Sequence, residues 1–308
     1  MSNSNNLVKL NKVIVYGLGA MGRPIARNLH EQNLLLGVKN RSNGVALGLI
    51  NELNLEDFED DAQLFAQADC VLICVSADDD LIEVVDGFKS LLRPGSVVID
   101  CSTVSSDTAK KVAADLVKLG IRFMDAPVSG GVEGAKKGIL SVMVGADFDT
   151  YKRADDLFRA IGSQVTYMGK VGQGQATKAV NQVLVAGVAQ TVCEALAFAE
   201  KCKLPIEKVV EVLSSGAAGN WFLDKRGISM SKNEFEKGFK LSLLHKDLKI
   251  IQTSLNHMQA DSQIVDQGLQ EFGELMQNGY GDLDISALIK LKRKQLHNEE
   301  NLEQNSNG

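Results

Sequence analysis

The sequence of 308 residues has no excess of positive charge: 33 Lys and Arg stand against 39 Asp and Glu, a formal net charge of −6. Without a positive field nothing holds a phosphate backbone non-specifically, so nucleic acid is not an expected partner. Long hydrophobic runs are missing as well. Stretches such as 13–16 and 70–75 fall far short of the roughly 20 residues that span a bilayer, so no transmembrane helix and no membrane partner are expected. The opening MSNSNNLVKLNK is polar, with no apolar segment ahead of a small-residue cleavage site, and the expected location is cytoplasmic. Cysteines are few and odd in number. Cys70, Cys74, Cys101, Cys193 and Cys202 show no metal-ligand spacing, and several sit in apolar runs as small hydrophobes do. They are expected to be reduced and structural, and no metal site is expected. The contiguous Asp78, Asp79 and Asp80 point in different directions and suit a helix start better than a metal.

What is present is an ordinary globular composition, 44% hydrophobic and 23% charged, in a chain long enough for two domains of about 150 residues each. From residue 12 to about 168, short β-branched runs alternate with longer amphipathic stretches, the pattern of a parallel sheet covered by helices. Strands are expected at 13–17, 34–40, 70–75, 96–100, 121–125, 140–145 and 164–169, with helices at 21–31, 81–91, 105–119 and 148–161. Pro94-Gly95, Gly120 and Gly162 punctuate them. After Gly174 a nearly unbroken helical run rich in Ala and Val extends to Cys202. A helix apolar on all sides is a buried one, and this one is expected to be the spine of an all-α second half. The expected domains are 9–170 for the sheet and 171–296 for the helices, with a disordered tail at 297–308.

Directly after the first strand, and opening the next helix, Gly17, Gly19 and Gly22 stand in G-x-G-x-x-G spacing. In a βαβ frame the first glycine makes the tight turn, the second lets the backbone approach a pyrophosphate, and the third lets the helix pack on the strand. The turn 17–22, with Leu18, Ala20 and Met21 between the glycines, is therefore read as a dinucleotide phosphate site on a Rossmann-type doubly wound α/β sheet, the anion lying at a helix N-terminus. At the end of the second strand, where an NAD site usually carries an acidic residue, the chain reads Lys39-Asn40-Arg41-Ser42. Loss of the carboxylate and a planar guanidinium beside it favour the 2′-phosphate, so NADP(H) is preferred over NAD(H). Val75 and Ser76, at the end of the third strand, are further expected cofactor contacts of this half.

Asp125-Ala126-Pro127-Val128-Ser129-Gly130-Gly131 is more specific. It resembles the DAPVSGG segment of the β-hydroxyacid dehydrogenase family, which includes 3-hydroxyisobutyrate dehydrogenase and the tartronate, glyoxylate and succinic semialdehyde reductases. Supporting segments occur in the family's order: GLGAMGRPIARNL at 17–29, DCSTVSSDTA at 100–109, GGVEGAKKGILSVMVGAD at 130–147, GQGQATKAVNQ at 172–182 and GFKLSLLHKDL at 238–248. The resemblance covers about 12–295.

It implies that Ser129, Gly130 and Gly131 hold the substrate carboxylate, a role that a hydroxyl and successive unhindered amides can physically fill. The family's catalytic lysine falls on Lys178, in a helix of mostly apolar and small residues, where desolvation favours the neutral amine and assists proton exchange near neutrality. Asn181, one turn on, is the implied substrate contact. The Asn181-Gln182 pair is similar to that of tartronate semialdehyde reductase. Lys246 matches a family lysine that reaches the cofactor, and Ser102 and Thr103 match residues beside the nicotinamide. Ser106 stands where the family often has proline. His245 is read as a packing or surface residue rather than a base, and the lone Trp221 as a core residue, with closure over the substrate as its alternative.

The implied activity is NAD(P)-dependent hydride transfer to a small carboxylate-bearing aldehyde, with Lys178 as general acid and base. The alternatives are 3-hydroxyisobutyrate oxidation and a catalytically silent NADP-binding module. Family members are commonly dimers or tetramers, and an apolar spine helix agrees with a homodimer or homotetramer.

Overall fold

Period-two alternation of β-branched residues builds a sheet with two apolar faces, and the computed structural model, which describes residues 8–56, 58, 60–236 and 238–297, shows it. The strands are β1 Val13–Tyr16, β2 Leu35–Lys39, β3 Cys70–Ile73, β4 Val97–Asp100, β5 Arg122–Asp125, β6 Val128–Ser129, β7 Leu140–Gly145 and β8 Gly162–Gly169. Their order is β2-β1-β3-β4-β5-β7-β6, with β8 on β7. Along β3 the alternation separates the two faces: Cys70 and Leu72 join one apolar cluster with Val13, Val15, Ile25 and Leu29, while Val71 and Ile73 join another with Phe65, Phe88 and Leu116.

Strands β1 to β5 are joined by parallel pairings, as expected of this pattern. The sheet is not parallel throughout. Strand β7 runs antiparallel to β5 and β6, and β8 returns parallel to β7. The two-residue β6 was not foreseen, because a strand that short carries no periodicity to read.

The first-half helices are α1 Gly22–Glu31, α2 Asn43–Leu53, α3 Asp61–Gln67, α4 Asp78–Phe88, α5 Ser106–Val117, α6 Gly131–Lys137, α7 Phe148–Arg153 and α8 Asp155–Ile161. The stretch expected as a single helix over 148–161 breaks at Ala154 because the Arg153 carbonyl accepts from the Leu10 N–H, which removes it from the helical ladder. Side-chain caps fix other starts: Asp60 accepts from the Gln63 amide, Ser105 from Thr108 and Asp147 from Thr150.

The second half is helical, with α9 Gln173–Lys201, α10 Ile206–Ser214, α11 Trp221–Ser231, α12 Leu241–His257, α13 Gln263–Gln277 and α14 Leu288–His297. The chain separates into two compact units, the first ending at Lys178 and the second beginning at Ala179, so the boundary falls inside α9. In the second unit Ala186, Ala189, Cys193 and Leu196 of α9 pack with Leu244, Leu248, Phe272 and Ile289.

By length and hydropathy α9 could cross a membrane, which the run-by-run reading of the sequence did not detect. Half of its apolar window is buried against protein, as in the core helix of a folded domain. It is not buried on all sides, however: Val180, Leu184 and Phe198 are exposed in the second unit. Most of the predicted tail, 298–308, lies outside the described residues.

Candidate active site

The glycine-rich turn comes first in the chain. Gly17 follows β1 at φ +94°, and a Cβ there would stand 2.1 Å from the Cys74 carbonyl oxygen. A Cβ on Gly22, at the start of α1, would stand 1.8 Å from the Gly17 carbonyl oxygen. Both glycines are required by the fold itself. Gly19 is different, because among the described residues nothing lies within 4 Å of its Cβ position. A small residue with open space before it, at the start of a helix without a side-chain cap at Met21, is the geometry an approaching phosphate needs. The chain's residues therefore fit a dinucleotide. The turn is tied to the end of β2, where the Gly17 amide donates to the Lys39 carbonyl and the Leu18 amide to Asn40 Oδ1, both at 2.9 Å.

Asn40 thus has a task beyond the absence of a carboxylate: it braces the phosphate turn. Next to it Arg41, with a side chain 72% exposed, forms an ion pair with Asp80 of α4. This contact raises the guanidinium pKa further. Lys39 pairs with Asp61 at 2.6 Å. A narrow cleft of about 100 Å³ runs beside Tyr16, Arg41, Asp61 and Glu83. Ser42 begins α2, and Ser76 and Ala20 are exposed. Val75 and Ser102 are brought together by a 2.9 Å bond from the Val75 amide to Ser102 Oγ, with Thr103 half-buried beside them. Asp78 accepts from the Ser105 amide at 2.9 Å.

The 129–131 turn and Lys178 also meet. Gly130 and Gly131 take φ +127° and +63°, conformations that side chains resist, and both are exposed, while Ser129 is half-buried. Lys178, in the second turn of α9, is 8% exposed. Its Nζ donates to the Val128 carbonyl at 2.9 Å, at the residue preceding Ser129.

Three buried polar residues that the sequence reading passed over hold this arrangement. Asp125 Oδ1 accepts from the Gly172 amide at 2.7 Å, and Oδ2 from the Gln175 amide at 2.8 Å. Gln175 Nε2 donates to the Ser102 carbonyl at 2.8 Å and to Asp100 Oδ2 at 3.3 Å. Burial pushes the Asp125 carboxyl up to about 6, with Asp100 adding to the rise and the amide bonds opposing it. The available signal was an aspartate directly after buried apolar strand residues, after Val98-Ile99 at 100 and after Phe123-Met124 at 125.

In the second unit, Asn181 Nδ2 donates to Gln182 Oε1 and Gln182 Nε2 to Asp247 Oδ2, each at 2.7 Å. Lys246 pairs with Asp247 at 2.9 Å. Asn181 and Lys246 therefore belong to one polar chain whose centre, Gln182 and Asp247, is buried. Burial, together with nearby Lys249, lowers the His245 pKa, which keeps the ring neutral at neutral pH. Trp221 is not a core residue. It is 61% exposed at the first position of α11, behind the Asn220 cap, with the Arg226 guanidinium 5.2 Å from its ring centroid.

A Rossmann-like sheet carrying a dinucleotide turn, followed by a helical unit, defines an NAD(P)-binding dehydrogenase. Residues 12–169 match the family described as the NAD binding domain of 6-phosphogluconate dehydrogenase, and residues 172–292 match that described as the NAD-binding of NADP-dependent 3-hydroxyisobutyrate dehydrogenase. The chain is 33% identical to 2-hydroxy-3-oxopropionate reductase of Escherichia coli, across 89% of this chain and 94% of that one. Among solved structures, it is similar to Mycobacterium tuberculosis 3-hydroxyisobutyrate dehydrogenase with L-serine, at TM-score 0.84, 26% identity, 92% of this chain and 99% of that one. It shares its fold with Psf3 in complex with NADP+, at TM-score 0.81, 24% identity, 91% of this chain and 99% of that one. The chain belongs to the β-hydroxyacid dehydrogenase family.

Proposed function

We propose that the protein reduces a small carboxylate-bearing aldehyde, of the tartronate semialdehyde, glyoxylate or succinic semialdehyde kind, with NADPH, Lys178 serving as general acid. The observation that carries this reading is the 2.9 Å bond from Lys178 Nζ to the Val128 carbonyl, which sets a buried ammonium beside the 129–131 turn. When bound, the nicotinamide supplies or takes up the hydride. The remaining tasks fall to the chain. The Ser129 hydroxyl and the amides of Gly130 and Gly131 receive the substrate carboxylate, and Asn181 orients the reacting end. Lys178 delivers a proton to the oxygen that becomes the alcohol and recovers it when the reaction runs as an oxidation. Oxidation of 3-hydroxyisobutyrate is the second reading, favoured by the close fold of the mycobacterial enzyme.

The preference for NADPH rests on Asn40, Arg41 and Lys39 at the end of β2. Asp80 holds Arg41 in an exposed pair. Such pairs are weak, so a 2′-phosphate can take the carboxylate's place. Lys246 is the cofactor contact from the helical unit. The exposed apolar side chains of α9 support a homodimer or homotetramer.

The test is a panel of semialdehydes and hydroxyacids assayed with NADPH and NADH. Lys178→Met, which keeps volume and removes the proton, is expected to lower kcat by roughly 10² to 10⁴ with NADPH affinity unchanged. Near wild-type turnover in that variant refutes the mechanism. Arg41→Ala is expected to weaken NADPH and leave NADH nearly unaltered. Equal loss for both cofactors, or wild-type preference for NADH, refutes the cofactor assignment.

A further inference from the structure

We infer that Asp125 is a positioning residue for Lys178: its carboxylate clamps the first turn of α9 and thereby sets the lysine ammonium against the 129–131 turn. The inference rests on the reading of Lys178 as the proton donor. Asp125 is fully buried at the end of β5, and its two oxygens accept from the Gly172 and Gln175 amides at 2.7 and 2.8 Å. These amides flank the start of α9, six and three residues before Lys178, where a helix has N–H groups without intrahelical partners. One carboxylate therefore fixes both the position and the rotation of the first turn, and through the helical ladder those of the second turn, from which Lys178 projects. The same chain passes from Asp125 through Val128, whose carbonyl accepts from Lys178 Nζ, to Ser129. Donor and substrate turn are thus referenced to a single strand end.

The site is shaped around this carboxylate. A Cβ on Gly145, the register partner of Asp125 on β7, would stand 2.5 Å from Oδ1. A Cβ on Gly174 would stand 2.7 Å from the Asp125 carbonyl oxygen and 2.9 Å from Oδ2. Asp100 at the end of β4 acts on the charge of Asp125, Lys110 of α5 packs its chain on Gly172, and Lys178 lies on the helix that the carboxylate clamps. Burial and Asp100 lift the carboxyl to about 6. Because this is a rise over the ordinary carboxylate value, the group's contribution to stability is present below about 4 and is lost as pH climbs through about 6. At pH 8 the ionised carboxylate is therefore a burden on the fold while it holds both amides. Protonation removes one acceptor and releases the clamp.

The test compares Asp125→Asn and Gly145→Ala with wild type. Asp125→Asn is expected to keep its melting temperature at pH 8 and its NADPH affinity, yet to lose roughly ten- to a hundredfold in kcat through misplacement of the lysine. Wild-type kcat is expected to fall below about pH 6 as Asp125 takes up its proton, and this acid limb should vanish in Asp125→Asn. In cofactor-free protein, amide exchange at Gly172 and Gln175 should be faster in the variant than in wild type at pH 8. Gly145→Ala places its methyl nearest the Asp125 side chain, 2.5 to 2.9 Å from Oδ1, Oδ2 and Cγ, and should reproduce the kcat loss, so it carries the test if Asp125→Asn fails to fold. Wild-type kcat in both variants, or an acid limb unchanged in Asp125→Asn, overturns the positioning role while an inactive Lys178→Met leaves the lysine reading intact. Near wild-type turnover in Lys178→Met overturns both.

Discussion

At the scale of single residues, three glycines in one motif are constrained by different things. Gly17 and Gly22 are held by the chain, since a Cβ on either would collide with a backbone carbonyl. Gly19 meets nothing of its own protein, so only a ligand would feel a side chain there. Gly22→Ala is expected to yield little folded protein. Gly19→Ala should melt like wild type and bind NADPH roughly tenfold or more weakly, because a methyl would occupy the place of the approaching pyrophosphate. Fluorescence titration with NADPH reads this directly, and wild-type affinity in Gly19→Ala contradicts the assignment of the turn. The resemblance singled out Lys178, Ser129, Gly130 and Gly131 as candidates, and the fold brings the Lys178 side chain to the residue before Ser129. Asp125 stood in the same motif as Ser129, but its bond partners lie about fifty residues further along the chain, and no local pattern announces them.

Among the elements, α14 carries a buried ion pair. Lys292 is 2% exposed and pairs with Glu271 of α13 at 2.6 Å and with Glu194 of α9 at 3.1 Å. Burial opposes its charge, but the bonds and attraction of the two glutamates outweigh this and raise its pKa. A raised lysine pKa contributes stability that is present throughout the neutral range and is lost only as pH rises past the ordinary lysine value into the folded-state one. Lys292→Ala would leave the Glu271 carboxylate buried without its cation, at a cost of about 3–5 kcal/mol, measurable by urea denaturation. A loss under about 1 kcal/mol would mean that water reaches Glu271. The long amphipathic elements followed their periodicity. The short ones, β6 and α6, and the break at Ala154 did not, because tertiary hydrogen bonds decide them.

At the scale of the whole molecule, Val180, Leu184 and Phe198 lie exposed along α9 in the helical unit. Spacings of four and fourteen residues return to the same side of a helix, which makes these three one apolar stripe. Stripes of this kind on a folded surface usually meet a partner, and a second copy is the proposed one. Light scattering at micromolar concentration is expected to give the mass of a dimer or tetramer, and Leu184→Lys combined with Phe198→Lys is expected to lower it. A monomeric mass for the wild type refutes the assembly.

The amino-acid sequence by itself determined the two-part architecture and the glycine-rich turn, because each is written in local periodicity or in a contiguous motif whose physics acts over a few residues; the family was legible through the resemblance of its segments, and that resemblance is also what singles out Lys178 as the proposed proton donor. Tertiary structure alone decided the antiparallel β7, the exposure of Trp221, the bracing of the phosphate turn by Asn40 and the clamp of Asp125 on α9. Each of these depends on which distant backbone group a polar side chain or a strand edge meets once the chain has closed on itself. That is a matter of geometry in three dimensions, to which spacing along the chain gives no access.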